Sequence, residues 1–205
     1  MIYYFIFLSS VLAIISKYKA PQFYSILKPI PIILLLLQIY FSSNVLANQL
    51  LLFGLIFSLL GDLSLLRNNL FYLGLLFFLT AHILYFSLFI IFAIDVNWIL
   101  VVPFIFYSII LFSLLNLSSK ITSSAIILYM SAISLMGFSG LNLYLERFDI
   151  PSLLIFLGGL IFILSDSVLA YNKFKSHFKV AEIVILSTYY LAQTLIVIGV
   201  IKLCA

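Results

Sequence analysis

Apolar residues run along this chain in blocks about as long as a bilayer is thick. Segments at roughly 1–16, 27–43, 45–66, 70–93, 97–115, 122–141, 151–171 and 180–202 are almost continuously apolar, and polar residues gather between them. An α-helix rises about 1.5 Å per residue, so about 20 apolar residues cross the hydrocarbon core. Only helices and closed barrels satisfy their backbone there. The pattern predicts an all-α, polytopic integral membrane bundle of about eight transmembrane helices, forming a single transmembrane domain over 1–205. Seven is the count if the first segment lies along the interface. Pro29 and Pro31 crowd the start of the second segment, and a first helical turn tolerates proline because its missing N–H has no partner there anyway. The opening stretch MIYYFIFLSSVLAIISKYK has neither a basic leader nor a small-residue cleavage site, so it reads as a first span rather than a cleaved signal.

Composition excludes the soluble alternative. Hydrophobic residues make up 66% of the chain and charged ones 8%, and mean hydropathy is +1.34. A soluble domain needs far more polar surface. The net charge of +4 comes with no basic run long enough for nucleic acid. The placement of the cations is more telling. Lys17, Lys19, Lys28, Arg67, Lys120, Lys173, Lys175 and Lys179 flank odd-numbered connections, whereas Arg147 and Lys202 flank the other side. That asymmetry predicts odd connections facing the cytoplasm and both termini outside. Cys204 is the only cysteine, which rules out a disulfide within the chain and any zinc-type cysteine cluster.

Two carboxylates break the apolar pattern. Asp62 closes GLIFSLLGD (54–62) and Asp166 closes GLIFILSD (159–166); Gly54 and Gly158 each precede their aspartate by eight residues. The echo permits two parallel four-helix halves, or Gly-Leu-Ile-Phe simply recurs in a chain with 21 Phe. Asp62 lies about 7 Å before Arg67 along a helix, and Asp166 about 10 Å before Lys173. Both acids therefore fall in the cytoplasmic half of the membrane. A carboxylate facing hydrocarbon costs roughly 2.5–3.5 kcal/mol, so each is expected to face the interior or a wet cavity. Ser58 and Gly54 share the Asp62 face and let a neighbouring helix come close. The bland alternative is pairing with Arg67 or Lys173.

Other interior polar groups are few. His82 and Tyr85 share a face of the fourth span; Tyr189, Tyr190 and Gln193 sit on the eighth; Lys28 opens the second, and Glu182 opens the eighth. His82 either ties two helices together or lines a site. Tyr3, Tyr4, Tyr18 and Tyr72 fit interface anchors. Glu182 and Lys179 fit a rim ion pair.

Taken in order, Lys28-Pro29, GLIFSLLGD, GLLFFLTAHILY (74–85), GGLIFILSDSVLAYNKF (158–174) and YYLAQTLI (189–196) resemble the transmembrane lysoplasmalogenases, the YhhN-like membrane proteins of bacteria. The resemblance covers nearly the whole chain. It implies a lipid-metabolism hydrolase of a bacterial inner membrane. Such an enzyme cleaves the vinyl ether bond of lysoplasmalogen to a fatty aldehyde and a glycerophospho-alcohol. Asp62 and Asp166 match the family's two characteristic acids.

The chemistry suits two carboxyls. A vinyl ether yields to acid through an oxocarbenium ion, so it needs a proton donor and nearby negative charge, as glycosidases arrange. Asp166 is the candidate acid and Asp62 the base or stabiliser. The partners are a single-chain ether phospholipid and water. Lys28, Arg67 and Lys173 are candidates for its phosphate; His82, Tyr85, Tyr190 and Gln193 for water and the ether and glycerol oxygens. No cofactor or metal is expected. The alternative is a small proton-coupled transporter using the same acids as a relay.

Overall fold

The computed structural model describes residues 2–40, 45–115, 117 and 119–204, with the side chains of 45–48 left aside. Met1 of the first expected span and 41–43 of the second lie outside the described residues. The chain is all-helical: α1 (Ile2–Lys19), α2 (Pro21–Leu27), α3 (Ile30–Tyr40), α4 (Val45–Ser64), α5 (Phe71–Ile91), α6 (Val102–Leu114), α7 (Lys120–Arg147), α8 (Ile150–Phe174) and α9 (Ala181–Cys204). Short 3-10 turns at Asn68–Leu70 and Trp98–Val101 lead into α5 and α6.

Among the described residues, six rods are long and apolar enough to span a membrane: Ile2–Lys19, Pro21–Tyr40, Asn68–Ile91, Lys120–Arg147, Ile150–Phe174 and Ala181–Cys204. Gln49–Ser64 and Trp98–Leu114 are shorter apolar helices. The chain is an integral membrane protein. The second rod departs from expectation. The second rod begins at Pro21, not near Lys28, so Pro29 and Pro31 fall in its middle and divide it into α2 and α3. Neither proline has an N–H to continue the ladder, which breaks the helix where Lys28 sits. Lys28 N still donates to Tyr24 O at 2.9 Å. The Lys28 carbonyl is taken instead by the Tyr190 hydroxyl at 2.9 Å.

Close approach of the helices depends on glycine. A Cβ at Gly54 would stand 2.3 Å from a Tyr85 ring carbon, so α4 and α5 touch there only because the side chain is missing. Gly158 and Gly199 do the same between α8 and α9: a Cβ on Gly199 would meet the Pro151 carbonyl oxygen at 2.8 Å and the Ile155 nitrogen at 3.0 Å. Small residues let membrane helices pack backbone to backbone where burial from water contributes nothing. These two hairpins, α4–α5 and α8–α9, are the most extensively packed pairs, and each is led by one of the recurring Gly-Leu-Ile-Phe segments.

The other end of the bundle is stitched by α7, which runs well past the expected 141. Its Asn142 side chain accepts from Asn97 N at 2.9 Å and donates to Asp95 O at 2.8 Å, and Glu146 accepts from Ile94 N. These bonds pin the α5–α6 connection. Two residues then reverse the chain: Phe148, left-handed at φ 49°, and Asp149, whose side chain caps α8 by accepting from Ser152 N at 2.9 Å.

Candidate active site

The site is built at the lysine-rich end, where α3 begins, α4 ends and α8 nears its end. Gly61 precedes Asp62, and a Cβ there would strike the Phe78 ring at 2.6 Å. Its absence lets Phe78 of α5 lie beneath the acid. Phe78 meets Tyr189 edge-on at 5.7 Å and Phe162 at 6.4 Å between centroids. This aromatic floor closes a cavity of about 250 Å³ above it, and both Asp62 and Asp166 line that cavity.

The two acids have different surroundings. Asp62 is 2% exposed and Lys28 5%. Lys28 Nζ stands 3.3 Å from Asp62 Oδ1 and donates to the Asp62 backbone oxygen at 3.0 Å. The Tyr189 hydroxyl donates to Asp62 Oδ2 at 2.8 Å. Asp62 is thus a buried ion pair with one further hydrogen bond, the arrangement a buried charge requires. Asp166 has no lysine or arginine within ion-pair reach among the described residues. The Tyr129 hydroxyl donates to its Oδ2, and His82 Nε2 lies 3.6 Å from the same oxygen. That separation is too long for a hydrogen bond. His82 is fully buried, neither ring nitrogen has a hydrogen-bond partner among the described residues, and its ring is held edge-on by Tyr129 and Phe162.

The structure sorts the residues singled out from sequence. Lys28, Asp62, Asp166 and Lys173 line the cavity. Lys173 Nζ lies 4.6 Å above the Phe71 ring, at the cavity edge. Arg67 is exposed and outside the lining, so it neither pairs with Asp62 nor reaches the site. Tyr190 is also outside: it points behind the cavity to the Lys28 carbonyl, and Tyr189, one residue earlier, faces in. A helix turns about 100° per residue, so choosing the neighbour chooses a different face. Tyr85 and Gln193 join Ser58 in a separate buried chain, Tyr85 donating to Gln193 Oε1 at 2.7 Å and Gln193 to Ser58 Oγ at 2.9 Å. Ser58 is one turn from Asp62, and Gln193 one turn from Tyr189, so this chain braces the site from below. His82 stands beside Asp166 but outside the cavity lining. Glu182 pairs with Lys17 at 3.7 Å, not with Lys179.

Sequence reading noted Tyr129 and Tyr189 as interior polar groups but gave neither a role at the site, and it did not single out His177, which also lines the cavity. For Tyr189 there was a signal: Glu182, Leu186 and Tyr189 recur at helical spacing on one face of α9, and all three line the cavity. For Tyr129, on a different helix from Asp166, spacing carries no such signal.

Fold and site together define a class: a polytopic helical membrane protein with one buried and one partly buried aspartate, Asp62 and Asp166, from distant parts of the chain, lining one cavity near one end of the bundle. Residues 23–200 match the YhhN family, and the chain belongs to that family, which includes lysoplasmalogenases. No solved structure matches the chain.

Proposed function

We propose that this protein hydrolyses the vinyl ether bond of a single-chain ether phospholipid, with Asp166 as proton donor and Asp62 as the carboxylate that steadies the cation and activates water. The observation that carries the reading is the convergence of Asp62 and Asp166 on one cavity in an otherwise apolar bundle. Membership in a family that includes lysoplasmalogenases supports it.

The two environments support the division of roles. Asp62 holds a lysine ammonium and a tyrosine donor, which favours its charged form. Asp166 has no lysine or arginine within ion-pair reach among the described residues and abuts apolar side chains, where a carboxyl is most cheaply kept neutral. Asp166 transfers its proton to the outer alkene carbon, and the carbon bonded to oxygen becomes an oxocarbenium centre. Water, deprotonated by Asp62, adds to that centre. The hemiacetal then breaks its bond to the glycerol oxygen, giving aldehyde and glycerophospho-alcohol. Water is consumed, and no oxidant or reductant is needed. Asp166 is reloaded from Asp62 through solvent in the cavity.

Lys173 is the cation placed for the phosphate, because Lys28 is engaged by Asp62 and Lys17 by Glu182. Tyr129 and His82 orient Asp166. The lysine-rich end, where the cavity lies, is the cytoplasmic side of a bacterial inner membrane, and both termini lie outside. Purified protein given lysoplasmalogen releases fatty aldehyde, and Asp62→Asn and Asp166→Asn each abolish release while leaving the protein folded. Proton-linked solute uptake into sealed vesicles, with no aldehyde formed, would replace this reading with a carrier.

A further inference from the structure

α6 is a weakly held helix of the bundle. Between Val102 and Leu114 only Phe104 is buried, and Ile105, Phe106, Ile109 and Ile110 face outward. Its polar ties are a Ser108–Ser134 hydroxyl pair at 2.8 Å to α7, a long Ser134 bond to the Phe104 carbonyl, and a Tyr107–Ser167 bond to α8. Ser167 is the residue after Asp166. A helix with so little buried surface is among the first to move.

A hollow lies on either side of the α6–α7 seam. The outer one, about 340 Å³, is open to the surroundings and lined by Ile109, Phe112 and Ile127. The inner one, about 20 Å³, is a slot walled by Leu111, Ile126, Ile133 and Ile163 and ending on Asp166. Met130 lines both. The slot also shares Phe71, Asp166 and Leu169 with the main cavity. A volume near 20 Å³ is little more than one water needs, so the slot as it stands is too narrow for a hydrocarbon chain. Apart from Asp166 its exposed walls are almost wholly apolar, because the Tyr107, Tyr129 and Ser167 hydroxyls are engaged in hydrogen bonds. The residue the two hollows share is a methionine, unbranched, with three rotatable bonds and a side chain that adapts to irregular gaps.

We propose that the α6–α7 seam is a lateral portal through which one hydrocarbon chain passes from the bilayer into the slot beside Asp166, with Met130 as its door. The occupant is the single tail of an amphiphile whose polar part lies in the main cavity, so that the junction of tail and headgroup falls at Asp166. The identity of that amphiphile rests on the hydrolase reading. The width of the slot argues for one chain, because opening it for two would need both α6 and α8 to withdraw.

The test uses full-length protein in lipid nanodiscs with a single-chain phospholipid carrying a photoreactive diazirine at the tail end, and labelled residues mapped by mass spectrometry. In a Cys204→Ser background, Ser108→Cys with Ser134→Cys places two thiols where the hydroxyls already touch, so oxidation fastens α6 to α7. Labelling of Met130, Ile133 and Ile163 is expected in the reduced protein, falling to background on oxidation and returning with dithiothreitol. Met130→Ala, which removes the door, raises labelling of the slot severalfold without needing the disulfide. Labelling confined to outward-facing residues overturns the proposal, as does slot labelling indifferent to both the disulfide and Met130→Ala. The aldehyde assay separates this from the hydrolase reading. Slot labelling without aldehyde release supports the portal and refutes the hydrolase; aldehyde release with an unlabelled slot refutes the portal alone.

Discussion

Removing the Lys28 ammonium while keeping its apolar stem, as Lys28→Met does, isolates the ion pair that distinguishes Asp62 from Asp166. Lys28 Nζ and Asp62 Oδ1 are 3.3 Å apart, and both residues are almost fully buried. At an effective dielectric of about 20 that separation corresponds to an attraction of about 5 kcal/mol, which offsets the cost of taking two charges out of water. Deleting one partner strands the other, so Lys28→Met and Asp62→Asn are each expected to lose about 3–5 kcal/mol. At about 2–4 °C per kcal/mol for a chain of this size, each lowers Tm by on the order of 10 °C. The double variant strands no charge. It should recover most of the loss, because a neutral buried pair costs little relative to an ion pair. Thermal unfolding of all four proteins in one detergent measures the coupling. Additive losses, with the double variant the least stable of the four, would refute the argument that these two charges hold each other in the site.

His82→Leu removes two buried nitrogens that have no hydrogen-bond partner among the described residues, and unpaired buried polar atoms cost about 1–3 kcal/mol. Stability in detergent should hold or rise while aldehyde release falls, and a matched loss of both would mean that His82 is purely structural. Gly199→Ala drives a Cβ into the α8 backbone and should destabilise by about 1–3 kcal/mol. Gly159→Ala meets nothing closer than Gly137 Cα at 3.8 Å, so the better helix former should be neutral or stabilising by up to about 1 kcal/mol; unfolding midpoints distinguish the two. Asp62→Asn and Asp166→Asn, each folded but inactive in aldehyde release, and the slot-labelling pattern of Met130→Ala complete the set.

Much of the architecture was legible in the one-dimensional pattern, because a bilayer imposes it. Every backbone group in hydrocarbon must bond within its own helix, so apolar blocks of the right length become helices whatever their neighbours do. The prolines were harder to place. Pro29 and Pro31 do stand at a helix start, that of α3, but the span already begins at Pro21, so the pair also breaks the rod where Lys28 turns toward Asp62. α7 overran its apolar block because Asn142 and Glu146 find backbone partners in the α5–α6 connection. Those partners are more than forty residues away in the chain and leave no local signature.

The sequence by itself determined that this chain crosses a membrane as helices, and that two aspartates sit at similar depth near one end. Hydrophobic length and helical rise are local quantities, and depth follows from them. Only the tertiary structure decided that Lys28 rather than Arg67 answers Asp62, that Tyr189 rather than Tyr190 faces the cavity, and that Tyr129 holds Asp166. The physical reason is rotational. Spacing places a side chain along a helix and on one of its faces, but which helix meets that face is set by where glycines let backbones close together. Gly54, Gly158 and Gly199 make those choices in three dimensions, and the pairing of charges follows from them.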